Sequence, residues 1–534
     1  MSMMTKDKFF DRDEYLKILN KRILGLKESY RQNIAIIGDE SVGKTSIIFK
    51  FLNRFQDNFI IPVYLEVRPE TQGVFVKRFI GVLLYNFLVN SGICLQEELD
   101  FLIRKSERYI PRTIEKIRVI LGSLSKRKTD GLFSELLSLP ESLHSETGKF
   151  CVVIFDEFLN LENLGFKQFY REWSKLLILQ KNTMYIIVSS MKFKAKGVLS
   201  KNLSLLFGNF EVISVLPFDI RTSERYLVER LAALNPKRPL LDFLVHFTGG
   251  YPLYLEVISE ALSKSGEDNL IAVLEKLIFE SCGILHQRFS NYIKRFLDTN
   301  YSHDYLSILY LISGGRNKIK DIAHILRKPQ KELLTRIHHL LEVDTITRSG
   351  DFLKINDRIL AFWLEFVYQE RLQSLTFDAK NQKEKFRQNL QKLIHLFYLE
   401  ARKSLMERCF EVLRLFEDEL IQVERKKVRL NHFREIKSLE FHNRRLKEGL
   451  IGRSHDSVWI MAFKREKLCE DDIADFSKEC KKYRHKMQRR IIVTLQDEID
   501  ANTKLRALEE KIWTWDIHSL NQILDLFSKP WVIA

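Results

Sequence analysis

Two short clusters in this 534-residue chain carry residue types suited to phosphate chemistry. The first runs Gly38, Asp39, Glu40, Ser41, Val42, Gly43, Lys44, Thr45, Ser46. Glycines spaced by four residues let a loop turn tightly, so that its N–H groups converge on an anion. Lys44 can reach the β- and γ-phosphates of a nucleotide, and the Thr45 hydroxyl can sit on Mg²⁺. The second cluster is an apolar run from Phe150 that ends in Asp156 and Glu157. Asp156 can hold Mg²⁺ through water, and Glu157 can polarise an attacking water as a general base. The two clusters predict a site for ATP and Mg²⁺, with Lys44 and Glu157 as its catalytic groups and Thr45 and Asp156 as metal ligands.

Both clusters need a strand that ends at the chemistry. Residues 34–38 are a short apolar run, and helical spacing begins near Lys44 with Ile47, Ile48 and Phe49. This is the strand–loop–helix order a phosphate loop requires, and the helix start adds its positive end. Branched and aromatic residues over 59–67 predict a second strand, followed by a helix over 72–89. The stretch 95–149 predicts two or three helices and reads as an insertion. Further buried strands are expected over 184–190 and 210–216, and the chain from 222 to 296 is expected to be helical.

Length excludes a single core and predicts three or four domains. The formal charge of +16 favours an anionic partner, with nucleic acid the first candidate. Six scattered cysteines predict neither a zinc site nor a disulfide framework. The absence of an uncharged bilayer-length run predicts a soluble, cytoplasmic protein without a membrane partner.

Upstream of the glycine loop stand Phe9, Arg12 and Leu16. This Phe-x-x-Arg-x-x-x-Leu opening, the loop and the Asp-Glu strand together resemble the archaeal-type P-loop ATPases. That family looks related to the origin-recognition initiators and to the signal-transduction ATPases with numerous domains. Tyr15 stands where the family has glutamate. The resemblance implies that Phe9 and Arg12 wall the adenine. It implies that Ser189 or Ser190, at the end of the strand after Asp156, places the water or γ-phosphate. It also expects an arginine before the fifth strand. Asn209 occupies that place here, which implies slow hydrolysis. The phrase Gly249-Gly250-Tyr251-Pro252-Leu253 matches the family's lid signature, and it implies that the helix opened by Pro252 turns back toward the nucleotide.

Residues 305–367 predict three helices and a hairpin over 346–355, the pattern of a winged helix. Lys331 and Arg336 on the third helix, with Arg348 and Lys354 on the wing, are the candidate DNA contacts. Use of the same module for protein contact is the alternative. In the family the C-terminal region is often similar to PD-(D/E)XK nucleases, whose chemistry needs two metal-binding acids and a lysine. The best match here is Ala462-Phe463-Lys464, in which alanine replaces an acid. Residues 438–442 would be the neighbouring strand, and Glu407 or Glu411 the first-helix acid.

The expected protein is multidomain. It has an α/β P-loop core of ASCE/AAA+ type with a parallel sheet (1–220), a helical lid (221–300), a winged helix (301–370) and a degenerate, restriction-nuclease-like α/β domain (386–534). The leading expectation is a slow ATPase switch cycling between ATP and ADP and binding DNA or a protein, with homo-oligomerisation open. The alternatives are an ATP-gated, metal-dependent nuclease and a scaffold that merely holds nucleotide.

Overall fold

The computed structural model describes residues 9–92, 98–126, 130–203, 210–266, 269–297, 302–373, 378–423, 426–441, 445–483, 488–496 and 499–533. The chain forms two compact units. The first comprises Met1–Pro217, Tyr251–Leu253 and Glu342–Asp344, and the second Phe218–Gly250, Tyr254–Leu341 and Thr345–Ala534.

The first unit is built on five strands: β1 (Asn33–Gly38), β2 (Ile60–Glu66), β3 (Phe150–Asp156), β4 (Thr183–Ser189) and β5 (Phe210–Val215). All pair in parallel, in the order β2-β3-β4-β1-β5. The parallel sheet expected for the ATPase core is therefore present. Every residue of β1 and β4 is buried, as a sheet covered on both faces demands. The edge strands β2 and β5 are only partly buried along their length.

The helix Gln72–Asn90 is apolar and long enough, by length and composition alone, to cross a membrane. Its Phe75, Phe79 and Leu83 instead fill the core beside Phe155. The region read as an insertion holds three helices, Leu99–Glu107, Pro111–Ser125 and Leu132–Thr147. They are not an appendage: Ile114, Ile117, Phe133 and Leu136 share the sheet's main apolar cluster. Glu141 ties this layer to β4 by accepting from the Asn182 backbone N–H (2.8 Å) and side-chain amide (3.0 Å).

The second unit begins with helices, among them Ile220–Arg230, Arg238–Thr248, Pro252–Ser265 from Tyr254 onward, and Ile284–Leu297. Three more follow, Ser302–Ser313, Ile319–Leu326 and Gln330–Glu342, and then the antiparallel pair β6 (Ile346–Ser349) and β7 (Phe352–Ile355). The turn between β6 and β7 is clasped by a second hairpin, β8 (Glu419–Val423) with β9 (Lys426–Leu430). The Asp351 N–H donates to the Leu420 carbonyl (2.9 Å), and Ser349 and Gln422 exchange two bonds of 3.0 Å. Gly350 has a φ of 62°, and a Cβ there would lie 2.0 Å from the Leu420 carbonyl oxygen. Only glycine suits that approach.

Two expected DNA contacts are ion-paired within this unit. Lys354 pairs with Asp525, a side chain 6% exposed that also accepts from Arg358 at 2.8 Å. Arg336 lies 3.5 Å from Asp304, which takes Lys328 at 2.7 Å. Lys331 and Arg348 are exposed. Sequence could not separate these pairs, because Asp525 lies 171 residues from Lys354.

The C-terminal sheet comprises β10 (Glu435–Glu440), β11 (Glu448–Arg453), β12 (Val458–Lys464), β13 (Gln488–Thr494) and β14 (Ile512–Trp515), in that spatial order. β10 to β12 form an antiparallel meander; β13 and β14 add in parallel through the helices Glu470–Cys480 and Ala501–Glu509. The strand beside β12 is therefore β11, not the segment from 438, which lies one strand further out; His442 is outside the described residues. Gly449 faces Ala462 across β11 and β12, and the Phe441 ring occupies the space a Cβ at 449 would need. Lys464 is 8% exposed and meets the Arg445 carbonyl (3.2 Å) and Asp472 (3.4 Å). Glu407 serves in the capping box of the helix Leu405–Leu413, and Glu411 pairs with Lys403 at 2.6 Å. Among the described residues no three His, Cys, Asp or Glu side chains are gathered as a metal site.

Burial raises the Asp525 pKa, but Arg358 and Lys354 outweigh it and hold the carboxylate below its usual range. Its stabilising contribution is present above the unfolded pKa and is lost as pH falls through the lower folded value. Asp525→Asn leaves two cations without a partner and should cost about 3 kcal/mol in urea unfolding of the full chain. Lys331→Ala should change it by less than about 0.5 kcal/mol. Equal, small effects would show that the pair adds nothing.

Candidate functional site

The polar groups of the first unit gather at the carboxyl ends of β1, β3 and β4, where a parallel sheet opens to ligands. Gly38 closes β1 beside Val215 of β5, and a Cβ there would lie 2.2 Å from the Val215 carbonyl oxygen. In the loop that follows, Ser41 (φ 67°) and Gly43 (φ 93°) are left-handed. Such turns point successive N–H groups inward and make an anion-binding concavity. Val42 is fully buried and anchors the loop, whereas Glu40 and Ser46 are exposed.

Lys44 opens the helix Lys44–Arg54 and is 5% exposed. Its Nζ donates to the carbonyls of Gly38 (3.0 Å) and Asp39 (2.7 Å), so the loop holds its own cation in place. Burial lowers the Lys44 pKa, while Glu157, Asp156, Asp39 and Glu40 oppose the shift. The Thr45 hydroxyl donates to Asp156 Oδ2 at 2.7 Å. Asp156 ends β3, is 2% exposed, and also accepts the Glu157 N–H on Oδ1 at 3.0 Å. A hydroxyl and a carboxylate side by side are oxygen donors of the type Mg²⁺ takes. The cradle of N–H groups, the lysine and this oxygen pair fit a nucleotide with Mg²⁺.

Glu157 has left-handed backbone angles (φ 52°, ψ 48°), a conformation costing about 1–3 kcal/mol for a residue with a side chain. Its Oε2 accepts the Ser190 N–H at 3.2 Å. Burial raises its pKa, and the Ser190 hydrogen bonds and Lys44 offset part of that rise. Ser190 is therefore the residue that meets Glu157. Ser189, the other of the two expected serines, is fully buried, and its hydroxyl accepts the Met191 N–H at 3.1 Å, the local role of a turn residue.

Two residues at the site escaped sequence reasoning. The Tyr64 hydroxyl, from β2, donates to Asp156 Oδ2 at 3.0 Å; burial and then Asp156 raise its pKa. Lys192, at the start of the helix after β4, pairs with the Asp39 side chain at 2.6 Å. Only the strand order brings β2 beside β3 and the end of β4 beside the loop, so no local signal marks either residue.

Arg12, at φ 92°, donates to the Leu216 carbonyl at 2.6 Å, next to the strand end that pairs with Gly38. Tyr15 donates to the Ser214 carbonyl at 3.3 Å and so holds the N-terminal helix on β5. Pro252 opens its helix as expected, and Tyr251–Leu253 group with the first unit. Gly249 (φ 62°) and Gly250 (φ 76°) precede it. Asn209 lies outside the described residues. Arg225, on the helix Ile220–Arg230, donates to Thr222 of the same helix at 3.3 Å.

No family model matches the chain, and no curated protein matches it. Solved structures do. A Walker-type ATPase of Pyrococcus abyssi is 21% identical, with a TM-score of 0.48, covering 67% of this chain and 97% of its own. The ORC2 protein of Aeropyrum pernix, in ADPNP–ADP complexes, is 13% identical with a TM-score of 0.38, covering 68% and 94%. The ORC1 protein of Aeropyrum pernix in complex with DNA is 13% identical with a TM-score of 0.35, covering 67% and 92%. These likenesses are distant in both sequence and fold, and none of them identifies the chain.

Proposed function

We propose that the first unit binds ATP with Mg²⁺ and hydrolyses it slowly, as a switch. The observation that carries this is the Thr45–Asp156 contact beside a lysine already seated on the carbonyls of its own loop. Mg²⁺ bound at that oxygen pair would neutralise phosphate charge. The loop N–H groups and Lys44 hold the phosphate oxygens. Glu157, oriented by Ser190, accepts a proton from the attacking water. Its strained backbone and buried carboxyl are the features expected of a poised base. Tyr64 keeps Asp156 oriented. Slow turnover follows from Asn209 standing where the resembling family has an arginine.

We further propose that the second unit presents basic side chains to duplex DNA. Exposed Lys331 and Arg348 support this, as does exposed Lys427 on β9. A second reading, in which the three helices and hairpin serve protein contact, is favoured by the clasp of β6–β7 on Leu420 and Gln422. Ala462, where a metal-binding acid would stand, and the glycine at 449 opposite it favour a nuclease-like domain that does not cut.

Glu157→Gln should retain ATP binding and lower turnover by about 10²–10⁴-fold, the usual loss of a general base. Lys44→Ala should abolish binding of fluorescent ATP. Wild-type turnover in Glu157→Gln would sink the assignment.

The ionised form of Glu157 is the active one, and burial raises its pKa. Turnover should therefore rise with pH through a pKa above the ordinary carboxylate value. A flat profile across that range would assign the base elsewhere.

Duplex DNA binding, followed by anisotropy, should weaken with salt. Lys331→Ala combined with Arg348→Ala should flatten the log K against log salt slope by about 1.8 if each meets a phosphate. An unchanged slope would favour the protein-contact reading.

A further inference from the structure

The second unit contains a cavity of about 360 Å³, at the lower end of the range of small-molecule sites. Phe247, Phe362, Phe366 and Phe397 line it. The Phe247 and Phe362 rings meet edge to face at 5.4 Å, and Phe362 and Phe366 lie 4.9 Å apart, so the wall is a contiguous aromatic surface. Ring faces of this kind attract cations as well as apolar groups.

Three cations, Lys354, Arg358 and Lys529, and three acids, Asp525, Glu400 and Glu365, line this cavity, but they are not paired one to one. Lys354 and Arg358 share Asp525, which also accepts the Trp531 indole N–H at 2.8 Å. Lys529 lies 3.6 Å from Glu411, and Glu400 takes Lys403 at 2.7 Å. His246 is kept neutral: burial first, then Arg358, Arg408 and Lys354, push its pKa far down. Glu365 is the exception. Among the described residues it has no hydrogen-bond or ion-pair partner, and burial alone pushes its carboxyl up to about 7. It sits in the π-helical turn Leu364–Tyr368, directly after the helix Arg358–Trp363. Such turns are rare and recur at binding sites. A half-buried acid with no counter-charge is costly to ionise, and the cost is removed when a cation joins it.

We propose that this cavity binds an organic monocation with an apolar body, of the arylalkylamine class, its ammonium on the Glu365 carboxylate and its ring against the phenylalanines. The occupant is a cation because Glu365 is the one acid at the cavity left without a partner among the described residues. It is an amine with a ring rather than a bare ion because the remaining wall is aromatic. This site is independent of the nucleotide site and of its assignment.

The test is isothermal titration calorimetry of the full chain with 2-phenylethylamine, and with 2-phenylethanol as its neutral counterpart. The amine should bind at pH 8, and about ten-fold more weakly at pH 6, where a proton must first leave Glu365. Glu365→Gln at pH 8, and the alcohol with the wild type, should each bind about ten-fold more weakly, the loss of one charge-assisted contact. Circular dichroism reports whether Glu365→Gln is folded; if it is not, the comparison of amine with alcohol and the pH dependence on the wild type decide alone. Equal binding of amine and alcohol, an unchanged affinity in folded Glu365→Gln, or no amine binding at millimolar concentration would each overturn the proposal.

Discussion

A parallel sheet buried on both faces can hold polar chemistry only where its strands end. β1 and β4 bury every residue, and β3 all but its first. Charged side chains within that layer would be costly. The lysine, the two acids and the paired hydroxyls therefore all collect at the carboxyl ends of β1, β3 and β4. The phosphate loop depends on the same close packing. Gly38 has no room for a Cβ beside Val215, so the turn begins where β1 and β5 touch. From there Lys44 is held by carbonyls, Thr45 by Asp156, and Glu157 by the backbone of Ser190.

A different constraint organises the second unit. Asp525 is buried with Lys354, Arg358 and the Trp531 indole, and it ties β7 and the helix after it to the last helix of the chain. The turn carrying Gly350 is bonded to β8, and Phe352 lies in the same apolar cluster as Trp459 of the C-terminal sheet. The hairpin that would serve as a DNA-binding wing is thus largely committed to intrachain contacts. Basic composition alone did not reveal this, because a lysine facing solvent and a lysine facing a distant aspartate have the same neighbours in sequence.

The strands and loops of the candidate site were legible because their signals are local. A continuous apolar run marks a doubly covered strand, and glycine spacing marks a loop with positive φ. The residues set between Gly38 and Ser46, and at Asp156 and Glu157, fall where those signals predict. The choice between Ser189 and Ser190 was not local: it depends on which residue of the turn aims its N–H at Glu157. β11 was missed because two glycines, Gly449 and Gly452, weaken its strand pattern, and both are needed because phenylalanine rings crowd them.

By itself the sequence determined the glycine loop between a strand and a helix, the acid pair at a strand end, the Gly-Gly-x-Pro break between two helices and the succession of three helices and a hairpin, each element encoded by its own neighbouring residues. Tertiary structure decided that Tyr64 and Lys192 join the site, that Lys354 and Arg336 are engaged internally, that Gly449 faces Ala462, and that Glu365 has no partner among the described residues beside an aromatic wall. The physical reason is range. Dihedral preference and hydrophobic period act over neighbouring residues, whereas charge pairing and cavity formation depend on which strands and helices the folded core brings together.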